Sequence, residues 1–132
     1  MGAIILDRNR VLLVERGREP LKGYWSLPGG VLETGERLED GIRREVREET
    51  GLEIRIVKVV EIFERIMRDK KGAAEYHYVL IDYLCRAIGG KLAAADDVAH
   101  AEWVPRNALG DYRITEGTLP VIEKAFRLRS KS

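Results

Sequence analysis

Residues 29–52 read GGVLETGERLEDGIRREVREETGL, and the fold is decided by how this stretch is read. Leu38, Ile42 and Val46 recur every four residues, which predicts a helix over Leu38 to Thr50 with one apolar face. Gly51 follows as a C-cap, because glycine tolerates the left-handed backbone on which many helices end. Gly41, inside the helix, costs about 1 kcal/mol relative to alanine, so close packing is expected around it. Pro28-Gly29-Gly30 breaks the chain just before this unit: proline lacks an amide donor, and glycines reach backbone angles closed to other residues.

On the same helix Glu45, Glu48 and Glu49 stand at i, i+3 and i+4, intervals that place three carboxylates on neighbouring parts of one surface. Left alone they repel, and a hard divalent cation such as Mg²⁺ offsets that cost by taking oxygen ligands. The spacing by itself fits equally well a solvated acidic face paired with Arg43, Arg44 and Arg47. The glycines favour a site, since a tight loop at Gly29-Gly30 brings backbone amides within reach of phosphate.

Working outward, Ala3-Ile4-Ile5-Leu6 and Val11-Leu12-Leu13-Val14 are apolar blocks separated by the polar turn Asp7-Arg8-Asn9-Arg10, and read as two strands. Gly23 to Leu27 predicts a further short strand. Leu52 to Met67 and Glu75 to Ile88 are rich in Ile, Val and Tyr and predict two long strands, bent or bulged, about the turn Asp69-Lys70-Lys71-Gly72. Gly89-Gly90 reads as another turn. After an irregular acidic segment, Ala101 to Val104 predicts a strand ended by Pro105, and Leu119, Ile122 and Phe126 mark one face of a final helix. The expectation is an α/β fold in which two helical layers enclose a mixed sheet.

The 132 residues suffice for one domain, and Lys plus Arg total 23 against 22 Asp plus Glu. A net charge of +1 gives no electrostatic case for polymeric nucleic acid. Cys85 is the only cysteine, so an intrachain disulfide is excluded; its setting, Tyr83-Leu84-Cys85, is that of a buried, inert thiol. No apolar stretch approaches a membrane span and the start lacks signal-peptide regions, so the expected location is the cytoplasm, with no membrane partner.

The stretch resembles the Nudix hydrolase signature: Gly, five residues, Glu, seven residues, Arg-Glu, an apolar residue, any residue, Glu-Glu, any residue, Gly, an apolar residue. Gly30, Glu36, Arg44, Glu45, Val46, Glu48, Glu49, Gly51 and Leu52 satisfy it without departure. A chance match at a given start is roughly one in 10⁹ at background residue frequencies. Trp25-Ser26-Leu27-Pro28 before the box and Glu102-Trp103-Val104-Pro105 late in the chain fit the same family. The resemblance implies one Nudix hydrolase domain over residues 1–132, built as an α/β/α sandwich with a central mixed sheet. The short segment before the first strand departs from many members, and argues against the extra N-terminal sheet and swapped dimer of some ADP-ribose pyrophosphatases; a homodimer stays open.

What the resemblance implies for chemistry is a Mg²⁺-dependent pyrophosphohydrolase, with Mn²⁺ able to substitute. Glu45, Glu48 and Glu49 are the implied metal ligands, and Glu45 alternates between ligand and base. Arg44 orients a carboxylate, Gly30 offers backbone contacts to the metal site, and Glu36 braces the loop against the helix. A further acid from a later loop is expected at Asp97, with Asp96 its close competitor. The expected substrate is a small nucleotide, a nucleoside diphosphate derivative such as ADP-ribose. The alternatives are pyrophosphohydrolysis of an ordinary or oxidised nucleoside triphosphate and a catalytically silent nucleotide-binding regulatory module.

Other residues weigh less. His77 lies in an alternating strand and reads as a cross-strand or surface group; His100 follows the acidic loop. Arg16 and Arg18 are candidates to meet substrate phosphates, and Trp25 or Tyr112 to stack on a base, with Arg113 beside Tyr112.

Overall fold

The structure, a computed structural model, describes residues 1–130. Strands β1 (Gly2–Asp7), β2 (Arg10–Arg16) and β3 (Trp25–Ser26) precede helix α1 (Leu38–Thr50). Strands β4 (Leu52–Arg68), β5 (Ala74–Gly90) and β6 (Val98–Pro105) follow, then a 3₁₀ turn at Arg106–Asp111 and helix α2 (Thr118–Ser130). The sheet runs β3-β2-β1-β5-β4, with β6 on the free side of β2. It is mixed, because β1 lies parallel to β5 while the other pairs are antiparallel.

The period of two in β1 sorts its side chains between two cores. Ala3 and Ile5 pack with Leu12, Tyr83 and Cys85 against Ile42 and Val46 of α1. Ile4 and Leu6 pack with Leu13, Leu84 and Val104 against Ile122, Ala125 and Phe126 of α2. Helices therefore cover both faces of one sheet, the three layers expected from the sequence. β1 and β2 pair only near their turn, at Leu6↔Val11 and Asp7↔Arg10. Beyond it they diverge, and β3 with the loop that follows it takes the space, Val14 pairing with Ser26 and Gly2 with Gly29.

Helix α1 ends as predicted. Gly51 takes a left-handed φ of 77° and its amide donates to Arg47 O at 2.9 Å. Thr50, fully buried, donates to Val46 O at 2.7 Å. The packing expected around Gly41 is present: a Cβ there would meet Leu32 Cδ1 and Met1 Cε, each at 2.9 Å.

Four readings of the chain are corrected. Leu38 and Leu119 were expected on the apolar helix faces but are 39% and 41% exposed, each lying in the first turn of its helix. The buried stripe of α2 is instead Val121, Ile122, Ala125 and Phe126. The strand expected over Gly23 to Leu27 shrinks to Trp25–Ser26. Gly89-Gly90 continues β5 rather than turning, pairing with Glu53 and Leu52, and a Cβ on Gly90 would collide with the Gly51 carbonyl. The final strand begins earlier than expected, at Val98, and the turn Arg106–Asp111 went unread because Leu109 is its one buried anchor.

The β4–β5 hairpin reaches past the cores, and residues 62–79 are exposed. There His77 Nε2 pairs with Glu64 at 2.6 Å across the two strands.

Candidate active site

The loop before α1 is fastened to β1 by backbone bonds. Ala3 N donates to Pro28 O at 2.9 Å, Gly30 N to Met1 O at 3.0 Å, and the Met1 amine to Gly30 O at 2.8 Å. This leaves the Gly29 amide pointing at α1, where it donates to Glu49 Oε1 at 2.7 Å. At Gly30 the requirement is steric rather than conformational: a Cβ there would sit within 2.5 Å of Glu45 Oε2. The glycine pair thus makes room for two carboxylates from successive turns of one helix.

Arg44 organises the remaining acids. Its Nε and Nη2 donate to the two oxygens of Glu36 at 2.7 and 3.0 Å, a forked, charge-assisted pair. Nη1 reaches Glu45 Oε1 at 3.0 Å and Glu48 Oε2 at 3.1 Å, and Nη2 also donates to Val31 O at 3.2 Å. The bonds from Arg44, helped by the Glu33 amide, hold the Glu36 carboxyl below the usual range, and those from Glu36 and Glu45 raise Arg44 further. Glu36 therefore clamps loop to helix, as the sequence suggested. Replacing Arg44 by Lys keeps the charge but loses the fork. A loss of about 10- to 100-fold in activity at limiting Mg²⁺ is expected, the range typical of groups that orient ligands. A Mg²⁺ titration of turnover checks it, and an unchanged titration curve would refute the orienting role.

Glu49 is the electrostatic centre. Burial pushes its carboxyl up to about 7, opposed by the Gly29 amide and reinforced by the charges of Glu45, Asp96 and Asp97. Backbone bonds from Ala95 N to Glu49 O (3.1 Å) and Ala93 N to Thr50 O (2.9 Å) clip the acidic loop to the end of α1. Asp97 Oδ1 pairs with Arg18 Nε at 3.1 Å, its carbonyl accepts from Gly17 N at 2.8 Å, and Asp96 takes a left-handed φ of 56°.

A cavity of about 430 Å³ joins these groups: Gly29, Gly30, Glu45, Glu49 and Asp97 line it, and Arg16 and Arg18 face in. Glu48 does not line it; the side chain is 45% exposed and turned to Arg44. Neither candidate stacking ring is open, since Trp25 and Tyr112 meet edge to face at 5.1 Å and Tyr112 OH donates to Glu102 at 2.8 Å. Arg113 lies over Tyr24. His100 pairs with Glu15 at 2.9 Å, and Cys85 is fully buried with its thiol pushed up to about 12.

Two acids near the loop went unread. Glu19 lines the cavity, and Asp82, only 7% exposed, lies beside Gly2 with its carboxyl raised by burial. The signal for Asp82 was available: it is the one charge in the run Tyr78 to Cys85.

The cavity suits a hard cation. Its donors are oxygens, the charges of Glu45, Asp96 and Asp97 act on Glu49, and no Cβ at Gly30 blocks Glu45. Among the described residues no three acidic, His or Cys side chains close into a ready cage.

Residues 1–125 match the NUDIX domain family model. An ADP-ribose pyrophosphatase of Methanocaldococcus jannaschii is 38% identical over 109 residues, covering 83% of this chain and 62% of that protein. The human 8-oxo-dGDP phosphatase NUDT18 is 26% identical over 136 aligned positions, covering 100% of this chain and 39% of its own length. The chain thus spans less than two thirds of both curated relatives. The crystal structure of a MutT NUDIX hydrolase from Burkholderia pseudomallei superposes with a TM-score of 0.79 at 28% identity, covering 93% of each chain. It shares the mixed sheet and packed helices described above. Among the described residues no helix is long and apolar enough to cross a membrane.

Proposed function

This chain belongs to the NUDIX domain family, and we propose that it is a hydrolase cleaving a phosphoanhydride bond in a small nucleoside diphosphate derivative, ADP-ribose being the representative substrate. The observation that carries this reading is the half-buried Glu49 carboxylate, held by the Gly29 amide beside Glu45, in a cavity that Arg16 and Arg18 also line. Acids and guanidiniums lining one cavity divide the work between a cation and a diphosphate. Glu45 and Glu49 would hold the cation, with Glu48 close by on Arg44. When bound, Mg²⁺ supplies the positive charge that acidifies water and offsets phosphate charge.

The chain's own groups do the rest. Arg44 donates to Glu45 and aims it, so that Glu45 serves as proton acceptor for the attacking water. Arg16 and Arg18 meet the phosphate oxygens, and Asp97 holds Arg18 on the cavity wall. Hydrolysis of ADP-ribose takes up one water and releases AMP and ribose 5-phosphate. The choice of ADP-ribose is supported by the 38% identity to a protein named for that activity. The 28% identity to a MutT hydrolase keeps nucleoside triphosphates as the runner-up.

A Mg²⁺-supported panel of ADP-ribose, dinucleotides, nucleoside triphosphates and capped RNA, with product identification, tests the reading. ADP-ribose is expected to give the highest kcat/KM. A triphosphate that exceeds it and releases pyrophosphate would give the assignment to the runner-up.

A further inference from the structure

We propose a second anion site at the other end of β1, built for a short chain of phosphates. The Pro28–Gly30 loop is fastened to β1 at Met1 and Ala3. Leu6, Asp7 and Arg8, roughly 16 Å further along the strand, open instead into a separate cavity of about 470 Å³. The two cavities share no lining residue.

Four arginines line this second cavity, Arg8, Arg55, Arg86 and Arg129, together with Trp103. Asp7 is its one acid, and Arg10 already engages it at 2.7 Å. Arg55 and Arg86 stand directly opposite one another in the β4–β5 ladder. Like charges in that position destabilise a sheet. Arg47 and Arg106, by contrast, are matched with Glu53 and Glu123. Among the described residues no carboxylate pairs with Arg8, Arg55 or Arg86. The turn that carries Arg8 is fixed by its φ of 55° and by Arg129, which donates to the Arg8 carbonyl from the end of α2.

Guanidiniums arriving from β4, β5 and the β1–β2 turn suit an anion with several charged centres, since each planar fork matches two phosphate oxygens. A single phosphate would leave most of the cavity empty. The Trp103 ring is already covered by the Arg10 guanidinium, 5.1 Å from its centroid, so recognition falls on the phosphate chain and not on a base. Inorganic tripolyphosphate and the triphosphate of ATP present the same chemistry.

Calorimetric titration of the whole chain in EDTA tests this, with sodium tripolyphosphate, ATP and adenosine as probes. Tripolyphosphate and ATP should bind with similar affinity and adenosine should not bind. The Arg55→Gln/Arg86→Gln variant should bind tripolyphosphate about 10- to 100-fold more weakly. It should turn over ADP-ribose as the parent does. Its Tm at low salt should exceed the parent's, with the difference removed or reversed by tripolyphosphate. Arg65→Gln/Arg68→Gln, on the outer hairpin, removes the same charge and should bind normally. Equal weakening by both pairs would reduce the effect to diffuse electrostatics and overturn the site. So would loss of binding in Arg16→Gln/Arg18→Gln but not in Arg55→Gln/Arg86→Gln, or binding of ATP without tripolyphosphate.

Discussion

The Glu49→Gln variant is expected to lose about 10²- to 10⁴-fold in kcat/KM towards ADP-ribose at saturating Mg²⁺, the scale on which a positioned carboxylate acts. Glutamine keeps an oxygen for the Gly29 amide, now 2.7 Å from Glu49 Oε1, so the loop should hold its shape. What it loses is the negative charge. The same substitution should raise stability in the absence of metal, with a sign fixed by the raised carboxyl at about 7. Below pH 4.5 Glu49 is protonated both folded and unfolded, and Glu and Gln are nearly equivalent. As pH rises the unfolded carboxyl ionises first while the folded one keeps its proton, so the parent loses stability relative to Glu49→Gln until pH passes about 7. At about 1.4 kcal/mol per pH unit, that window carries at most about 3 kcal/mol. Urea unfolding in EDTA from pH 4 to 8 measures it, and Mg²⁺ should restore the parent at pH 8 with little effect at pH 4. A variant with parental turnover, or a stability difference that does not change with pH, would remove Glu49 from the centre of the site.

Gly30→Ala is the second large effect. The new Cβ would fall on the Glu45 carboxylate, which is the free end of a side chain and can swing aside. The fold should therefore survive with a Tm close to the parent's, while the displaced carboxylate lowers kcat/KM on the order of 10²-fold, as misplacements near 1 Å do. Gly110→Ala, where nothing lies within 4 Å of the added carbon, is the control and should be neutral. A Gly30→Ala enzyme as active as the control would contradict the steric argument.

What was legible in the sequence and what was not divides along physical lines. Local chemistry was readable: the four-residue period of Ile42 and Val46, the stop at Gly51 and the polar turn at Asp69 to Gly72 each specify their own structure. So did the acidic spacing with its glycine entrance, which placed Glu45 and Glu49 beside Gly29 and Gly30. Tertiary context was not readable. A helix pattern cannot say which of its apolar residues reach the sheet, so Leu38 and Leu119 were placed on the apolar faces although both are exposed. The intervals between Glu45, Glu48 and Glu49 are likewise silent about Arg44, which draws Glu48 outward while Glu45 and Glu49 face the cavity. Asp82 and the Arg55–Arg86 opposition depend on strand register, which is set by pairing between segments far apart in the chain.

The central claim is that Glu45 and Glu49 hold a divalent cation at the Gly29-Gly30 loop. Crystals grown or soaked with Mn²⁺, a stand-in for Mg²⁺ with a strong anomalous signal, test it most directly. An anomalous peak is expected within coordination distance of carboxylate oxygens of both Glu45 and Glu49, lost in the Glu45→Gln/Glu49→Gln variant. A well-occupied peak elsewhere in the molecule, with none at these two carboxylates, would contradict it.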